Sequence, residues 1–469
     1  MEKTSARNYP LEDIDRETLF HPVTSIADHL KKGPLIVNDA RGVRMKDQKG
    51  RDIIDCGAGL WCVNIGYGRK ELAKAAEKSV QDLAYYHLFG GASNEPIIRL
   101  AERVLQLFHD KADAKHLSKV FFGCSGSDAN DTNYKLVRYY NNLRGKPQKK
   151  KFIARNGGYH GLTYAAASLT GIPAYHRAWD LPMEGVIHTS CPHYYRFSNP
   201  GESEEAFTNR MIAEIEGIIA REGGDTIAAF IAEPIMGTGG VLLPPKGYFA
   251  KLQPLLAKHD ILLIVDEVIT GFGRTGTTFA CERFQITPDI LVLSKQITSS
   301  YLPLAAILMT DQIYQGLADN TARIGTFGHG FTTSGHPVAT AVALENLKIM
   351  EERGLMEHAR RMEPLFQQGL RRFADHPLVG EARGVGMIGA VELVADKATK
   401  RQFDPIGKVG AYLYERGHHH GLIVRNIQDN VAMCPPLIMQ PAEMEEMFRR
   451  FSLALDDTWE WVQANGLRG

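Results

Sequence analysis

Short apolar runs alternate with amphipathic stretches through the middle of the chain. The apolar runs, each of which predicts a β-strand, cover residues 118–122, 151–154, 226–232, 261–265 and 290–293. Stretches with apolar residues at helical spacing lie between them, at 128–140, 207–222 and 248–259. Strands that alternate with helices predict a mainly parallel sheet flanked by helices. We therefore expect a large α/β domain here.

The pattern changes on either side of this region. Longer helices are predicted at 338–350 and 356–373, short strands near 385–393 and 422–424, and a final helix from 442 to about 464. Residues 1–35 predict short helices or irregular chain, and small strands follow up to residue 55. We expect a large domain at 71–335, and an N-terminal segment (1–70) that packs with a smaller α+β domain (336–469).

Composition narrows the classes of function. The 469-residue chain has 54 basic and 54 acidic side chains, so no net charge favours nucleic acid or an anionic membrane as a partner. No apolar run is long enough for a membrane span, residues 1–15 lack the apolar segment of a signal peptide, and the six cysteines form no CxxC pair. We expect a cytoplasmic protein with no metal. The histidine run at 418–420 is interpreted as a surface turn.

Reactive side chains follow the predicted strands, at the edge where open α/β sheets bind ligands. They are Ser125-Gly126-Ser127, Tyr159-His160, Asp266 and Lys295. A helix that begins at the serine–glycine turn offers free N–H groups to a phosphate. The carboxylate suits a protonated pyridine nitrogen, and a lysine whose pKa burial has lowered can bond to an aldehyde and move protons. Each residue alone also fits a structural role, but together they suit an aldehyde cofactor with a phosphate and a pyridine ring.

Longer motifs surround these residues. They lie at 59–64 (GLWCVN), 124–131 (CSGSDAND), 156–161 (NGGYHG), 231–235 (IAEPI), 265–276 (VDEVITGFGRTG), 293–298 (LSKQIT), 329–337 (HGFTTSGHP) and 435–437 (PPL). With these motifs the chain resembles the class III aminotransferases, pyridoxal-phosphate enzymes of fold type I, over nearly its whole length. The tryptophan turn at Trp61 resembles the amine:pyruvate subgroup, which accepts amines without an α-carboxylate.

The resemblance implies a function and a fold. The fold would be a large domain with a mainly parallel sheet flanked by helices, plus a smaller α+β domain. The activity would be a transaminase that moves an amino group from a primary amine to a keto acid such as pyruvate. Pyridoxal 5′-phosphate would be the cofactor, and a homodimer with shared active sites would be the assembly.

The resemblance also implies roles for individual residues. Lys295 matches the lysine that forms the Schiff base with the cofactor, and Asp266 matches the partner of the pyridine nitrogen. The other cofactor-binding matches are Ser125, Gly126 and Ser127 at the phosphate, Tyr159 and Val268 at the ring, His160 and Glu233 beside them, and Phe331 and Thr332 from the other subunit. The residues expected at the substrate are Trp61, Phe89, Tyr159 and Arg425, of which the arginine would bind the carboxylate of the keto acid.

Four positions depart from the family pattern. Thr238 stands where relatives that act on γ-aminobutyrate or ornithine usually carry an acidic residue, which argues against those substrates. Gly90 and Gly91 stand where bulkier residues are expected, and Thr333 stands where a tyrosine is common. These smaller residues predict a pocket enlarged for bulky amines. Alternatively, the backbone needs glycine at 90 and 91.

The sequence is also compatible with other functions. A decarboxylase or an aminomutase would use the same scaffold without a keto acid. Residues 384–389 (GVGMIG) match the pattern of a nicotinamide-dependent oxidoreductase, but they follow Glu381-Ala-Arg383 rather than a strand, and no helix is predicted after them. A tight turn is therefore expected there. A non-catalytic binding protein is a further alternative, against which the presence of both Lys295 and Asp266 argues.

Overall fold

The first elements of the fold are two short helices and a small antiparallel sheet. The computed structural model describes residues 10–112 and 116–468. The N-terminal elements, numbered in chain order, are α1 (Leu11–Thr18), α2 (Ile26–Lys32), β1 (Val37–Arg41), β2 (Arg44–Asp47), β3 (Asp52–Asp55) and the short turn α3 (Ala58–Trp61). The short helices and small strands predicted for this segment are thus present in its described part.

A seven-stranded sheet forms the centre of the large domain. From one edge to the other its strands are β4 (Leu117–Gly123), β10 (Ala305–Thr310), β9 (Ile290–Leu293), β8 (Leu262–Asp266), β7 (Ile227–Ala232), β5 (Lys151–Arg155) and β6 (Val186–Thr189). Strand β10 is antiparallel to both of its neighbours, and the other pairs are parallel. The predicted mainly parallel sheet is confirmed.

The strands β7, β8, β9 and β10 are buried on both faces of the sheet, which explains why they are almost continuously apolar. Successive side chains point to opposite faces, so Leu263 and Val265 of β8 belong to one hydrophobic cluster and Ile264 to another. Asp266 is the last residue of β8, and Lys295 comes just after the end of β9. Both polar residues therefore lie at the carboxyl edge of a rigid apolar sheet.

Helices cover the two faces of the sheet. They are α4 (Lys70–Leu83), α5 (Glu95–Ala112), α6 (Gly126–Leu143), α7 (Tyr164–Leu169), α8 (Tyr194–Phe197), α9 (Glu204–Glu222), α10 (Tyr248–Lys258), α11 (Ala280–Phe284) and α12 (Asp311–Ile324). Leu136 of α6 belongs to the cluster on one face, and Leu252 of α10 to the cluster on the other. The sequence did not predict β6, β10 or α12. Strand β10 follows β9 after residues 294–304 with no intervening α-helix, so the expected strand–helix alternation breaks at that point.

The C-terminal part forms the predicted α+β domain. Its helices are α13 (Pro337–Glu352), α14 (Leu355–Arg371), α15 (Lys408–His419) and α16 (Pro441–Ala464), and its strands are β11 (Val379–Val385), β12 (Ile388–Leu393), β13 (Leu422–Ile423), β14 (Arg425–Ile427) and β15 (Asn430–Met433). Four of these strands form an antiparallel sheet in the order β11-β12-β15-β14. Strand β13 instead pairs with β3 of the N-terminal segment. The exact domain boundaries stay a prediction.

The glycine-rich stretch at 384–389 is the turn of a hairpin. Strands β11 and β12 pair antiparallel on either side of it, with Val385 opposite Ile388. The predicted tight turn is therefore present. The expectation that no strand precedes it is wrong, since Glu381-Ala-Arg383 lies within β11, but a strand rather than a helix follows. The geometry of a dinucleotide-binding loop, which opens a helix, is absent from this part of the described chain.

The cysteines of the described chain are all free, as expected from their spacing. Cys56, Cys62, Cys281 and Cys434 are buried free thiols, and Cys124 and Cys191 are partly buried ones. His418 and His419 are the last residues of α15 rather than part of a turn. No helix within the described ranges is both long enough and apolar enough to cross a membrane. The cytoplasmic location stays a prediction.

Candidate active site

A cavity of about 720 Å³ opens at the carboxyl ends of β7, β8 and β9. The predicted site residues that line it are Trp61, Ser125, Gly126, Ser127, Tyr159, His160, Glu233, Asp266, Val268, Lys295 and Arg425. Three others, Phe89, Phe331 and Thr332, do not line the cavity of their own chain. The fold thus brings residues from the N-terminal segment, the large domain and the small domain into one site.

Hydrogen bonds hold the Asp266 carboxylate at the cavity wall. Its Oδ2 accepts a hydrogen bond from Asn130 Nδ2 at 2.9 Å and lies 3.0 Å from Nδ1 of His160. Its Oδ1 accepts from the backbone N–H of Val268 at 3.1 Å. Because these contacts offset the cost of burying the carboxylate, a negative charge can be kept at a fixed position beside the cavity.

Lys295 stands in a strained turn that buried amides hold in place. Its φ of 43° is unusual for a residue with a side chain, and such conformations persist only where the surroundings enforce them. Gln296 Nε2 donates to the carbonyl oxygens of Trp61 and Ile269, each at 2.8 Å, and Asn346 Nδ2 donates to the carbonyl of Gln296 at 2.9 Å. Burial lowers the pKa of the lysine amine, which increases its neutral, nucleophilic fraction.

The N-terminus of α6 faces the same cavity. Ser125 Oγ accepts from the N–H of Asp128 at 3.1 Å, and the Asp128 carboxylate accepts from the N–H of Ser125 at 2.9 Å. This capping box leaves the N–H groups of Gly126 and Ser127 for an anion at the helix N-terminus. A Cβ on Gly126 would lie 3.1 Å from Val268, so the glycine also allows the close approach of that side chain.

Glu233 positions the loop that carries Tyr159. Its two carboxylate oxygens accept from the backbone N–H groups of Tyr159 and Gly237, each at 2.9 Å. Burial raises the pKa of Glu233 above its usual value. Burial also raises the pKa of Tyr159 to about 12, and the nearby charge of Arg425 opposes that shift. The tyrosine is therefore a neutral ring and hydroxyl at physiological pH.

Trp61 and Arg425 line the outer part of the cavity. The Trp61 ring is buried, and a Cβ on Gly237 would lie 2.7 Å from it. Trp61 thus belongs both to a hydrophobic cluster and to the wall of the cavity. Arg425 begins β14, and it shares the cavity with Thr238, which has no charge to pair with it.

Phe89, Phe331 and Thr332 lie outside this cavity. Phe89 is 54% exposed, and a Cβ on Gly330 would lie 2.7 Å from its ring. The hydroxyl of Tyr85 donates to the carbonyl of Thr332 at 2.7 Å, which joins the loop at 85–91 to the segment at 329–333. A role for these residues at an active site requires a second copy of the chain, and it stays a prediction.

The two glycines of this loop have left-handed backbone conformations. The φ angle is 68° at Gly90 and 85° at Gly91, and a Cβ at either would meet no described atom within 4 Å. The positive angles favour the interpretation that the backbone needs glycine there. The open space also leaves room for the enlarged pocket, so both interpretations stay open.

Three supporting amides were missed by the sequence analysis. Asn130 stands one helical turn after Gly126, inside a motif that was recognised, and this spacing places it on the same helix face. Gln296 adjoins the lysine. Asn346 is a buried amide in the apolar helix α13. The detectable signal was the same for all three: an amide side chain where the pattern calls for an apolar or solvent-exposed residue.

The donor set fits a cofactor with a phosphate at one end and a protonated ring nitrogen at the other. The free amides of Gly126 and Ser127 suit the phosphate, and the Asp266 carboxylate suits the cationic nitrogen. Nε2 of His160 is a buried polar atom without a hydrogen-bond partner in the described chain, so the wall of the cavity can form one more hydrogen bond. Together with Lys295 and the sheet topology, these features define a pyridoxal-phosphate enzyme of fold type I.

Comparison with known proteins gives the family. The model of the aminotransferase class-III family matches residues 26–455. Gamma aminobutyrate transaminase 3, chloroplastic, of Solanum lycopersicum is 46% identical over 430 residues, which is 92% of this chain and 82% of that protein. Vanillin aminotransferase of Capsicum frutescens is 44% identical over 92% of this chain and 93% of that protein. The omega transaminase of Pseudomonas jessenii in complex with PMP has a TM-score of 0.94 at 50% identity, over 97% of this chain and 99% of that one.

The chain belongs to the class III aminotransferases. Its cofactor is pyridoxal 5′-phosphate, and its reaction transfers an amino group from an amine donor to a keto-acid acceptor. The expected family, fold and cofactor are confirmed.

Proposed function

We propose that this aminotransferase is of the amine:pyruvate type, which takes amino groups from primary amines without an α-carboxylate and gives them to pyruvate. The observation that carries this proposal is the outer part of the cavity, where Arg425 shares the wall with Thr238 and Trp61. Arg425 forms no ion pair with an acidic side chain among the described residues, so its guanidinium is available to a keto-acid carboxylate. The tryptophan supplies an apolar surface for a donor that has no carboxylate.

Each inner residue has a role in this proposal. When bound, the cofactor supplies a cationic ring that accepts electrons from the substrate carbon. Lys295 would hold the cofactor and, once its amine is released, move a proton to and from that carbon. Asp266 would keep the ring nitrogen protonated, and Gly126 and Ser127 would bind the phosphate. Tyr159 and Val268 would pack against the two faces of the ring, while His160 and Glu233 support the wall.

The homodimer with shared sites is the second part of the proposal. Phe331 and Thr332 would reach the phosphate of the other subunit, and Phe89 its substrate. Phe89 and Thr332 are exposed and Phe331 is half-buried in one chain, and none of them lines its cavity, which supports this assignment. Mixed dimers of Lys295→Ala and Thr332→Ala chains test it. If sites are shared, the site that keeps Lys295 recovers the wild-type cofactor affinity, whereas sites built from one chain would keep the weakened affinity of the Thr332→Ala parent.

A second candidate donor is γ-aminobutyrate, because a relative at 46% identity is named as a transaminase of that compound. Its carboxylate would bind Arg425, which would then serve both donor and acceptor. The neutral Thr238 argues against it.

Initial rates with 1-phenylethylamine and with γ-aminobutyrate, each with pyruvate and with alanine as the measured product, decide between the two donors. The proposal requires the higher kcat/KM for the amine without a carboxylate. A preference for γ-aminobutyrate would overturn it, and turnover without any keto acid would indicate a mutase or a decarboxylase.

A further inference from the structure

Two histidines and one aspartate converge in the N-terminal segment, apart from the cofactor-binding wall. Asp15 lies in α1, His29 lies in α2, and His21 lies in the connection between them. Nε2 of His29 is 2.9 Å from Oδ1 of Asp15, and Nε2 of His21 is 3.0 Å from both oxygens of that carboxylate. The two imidazole rings are 4.3 Å apart between centroids.

From this cluster, the structure assigns a binding site for a divalent transition-metal ion, Zn²⁺ or an ion of similar preference, to Asp15, His21 and His29. The three ligand atoms lie within 4.8 Å of one another. Bonds of about 2.1 Å in a tetrahedral site place ligand atoms about 3.4 Å apart, so small side-chain movements would suffice. Two imidazoles and one carboxylate are ligands that Zn²⁺ prefers, whereas Mg²⁺ prefers oxygen alone.

The cluster is accessible to an ion. Among the described residues, no lysine or arginine forms an ion pair with the Asp15 carboxylate. The side chains of Asp15 and His29 are 14% and 12% exposed, and that of His21 is 28% exposed. A cavity of about 220 Å³ lies beside the two histidines and has room for water as the remaining ligand. The adjacent Arg16 pairs with Asp13 instead of Asp15.

A metal here would also act on the active-site cavity. Residues 22–24 connect His21 to α2, and they line the cavity that holds Lys295. Within this connection Val23 has a φ of 50°, which β-branched residues rarely adopt. An ion that bridges His21 and His29 would fix both sides of this connection, and so would order one part of the cavity wall. This inference does not depend on which amine or keto acid the enzyme uses.

Calorimetric titration of the chelator-treated holoenzyme with Zn²⁺ tests the site. We expect one Zn²⁺ per chain, and at least about tenfold weaker binding in each of the variants His21→Ala, His29→Ala and Asp15→Asn, the last of which keeps the side-chain shape. His419→Ala, in the other histidine-rich segment, is the matched control and should bind like the wild type. Unchanged stoichiometry and affinity in His21→Ala and His29→Ala, or loss of binding in His419→Ala, would overturn the assignment, as would no binding at all.

Hydrogen exchange gives a second readout that does not require activity. Zn²⁺ should slow the exchange of backbone amides between residues 20 and 30 in the wild type, and Mg²⁺ should not. The effect should be absent from the His29→Ala holoenzyme. Exchange rates of its other backbone amides that equal those of the wild type would show that the variant is folded. An equal effect of Zn²⁺ on wild type and variant would contradict the site.

Discussion

The inner and outer parts of the active-site cavity differ in how they are held. The inner part consists of strand ends of the central sheet, where Asp266 and Glu233 each bind two or more hydrogen-bond partners. The outer part includes Leu60, which is 53% exposed, and Arg425 from another domain. Strand ends held by hydrogen bonds suit chemistry that must be positioned accurately, and a wall shared between domains suits selection among substrates. Substitutions in the two parts should therefore have different kinetic signatures.

Lys295→Ala should have the largest effect. It removes the amine that we propose holds the cofactor and moves the proton, so both half-reactions should slow by about 10⁴-fold. Single-turnover rates with an amine and with pyruvate measure this loss. Lys246→Ala, at an exposed lysine, is the control. A variant that keeps a tenth of the wild-type rate would contradict the assignment of the amine as the group that transfers the proton.

Asp266→Asn should be next, with a loss of about 10²- to 10³-fold in both half-reactions. A neutral amide cannot favour the protonated form of the ring nitrogen. Asp289→Asn is a matched control, since Asp289 is a mostly buried carboxylate at the start of β9, bonded to the N–H of Leu263 at 2.7 Å. The control should lose stability but keep its activity per bound cofactor. Equal losses of activity in the two variants would contradict a specific role of Asp266 at the cofactor.

Arg425→Leu should affect one half-reaction only. Hydrogen bonds to charged groups contribute about 1.5–3 kcal/mol, so kcat/KM for pyruvate should fall about 10- to 100-fold. The half-reaction with a donor that has no carboxylate should change little. Arg425→Lys should recover part of the loss, because it keeps the charge without the planar fork. A similar fall in both half-reactions would place the arginine in the inner part of the site.

Gly90→Phe tests whether the glycine loop enlarges the pocket. If it does, a bulky donor should lose about tenfold in kcat/KM while a compact donor is unaffected. Gly90→Ala is the control, because it imposes the same backbone strain at φ 68° without the bulk. Equal losses in Phe and Ala variants, for both donors, would mean that the backbone needs glycine and that the volume is irrelevant.

The smallest effect concerns stability in the absence of cofactor. Burial lowers the folded-state pKa of Lys295 below its usual 10.5. A lowered lysine pKa contributes stability at pH values above the unfolded pKa, and that contribution is lost as the pH falls through the folded pKa. Wild-type protein should therefore gain stability relative to Lys295→Met as the pH rises toward 10.5. Urea unfolding at several pH values measures this, with Lys78→Met at an exposed site as the control, and a constant difference would contradict it.

Sequence alone indicated the inner part of the site much better than the outer part. Asp266 and Lys295 stand at the ends of short, β-rich apolar runs that predict buried strands, so their position at the sheet edge could be derived from the sequence. Asn130 and Asn346 hold that edge through contacts distant in sequence, and although each amide stands out in its local pattern, that pattern does not identify its partner. Strand β10 was missed because it breaks the alternation of strands and helices.

The site residues expected from a second subunit depend on relations that a single chain does not contain. Phe89 and Thr332 lie away from the cavity of their own chain, and only a resemblance to a family suggested a partner for them. The convergence of Asp15, His21 and His29 also could not be derived, because it requires the angle between α1 and α2 and the path of their connection. Residues that act across domains or subunits have weak sequence signals, whereas those at strand ends have strong ones.

The most direct test of the central claim is to reduce the purified enzyme with borohydride and to identify by mass spectrometry the peptide that carries the cofactor. The inner part of the cavity is organised around one amine, so the phosphopyridoxyl group should be found on Lys295 alone, in the wild type and in Arg425→Leu alike. A label on another lysine, or none in an active enzyme, would contradict the account.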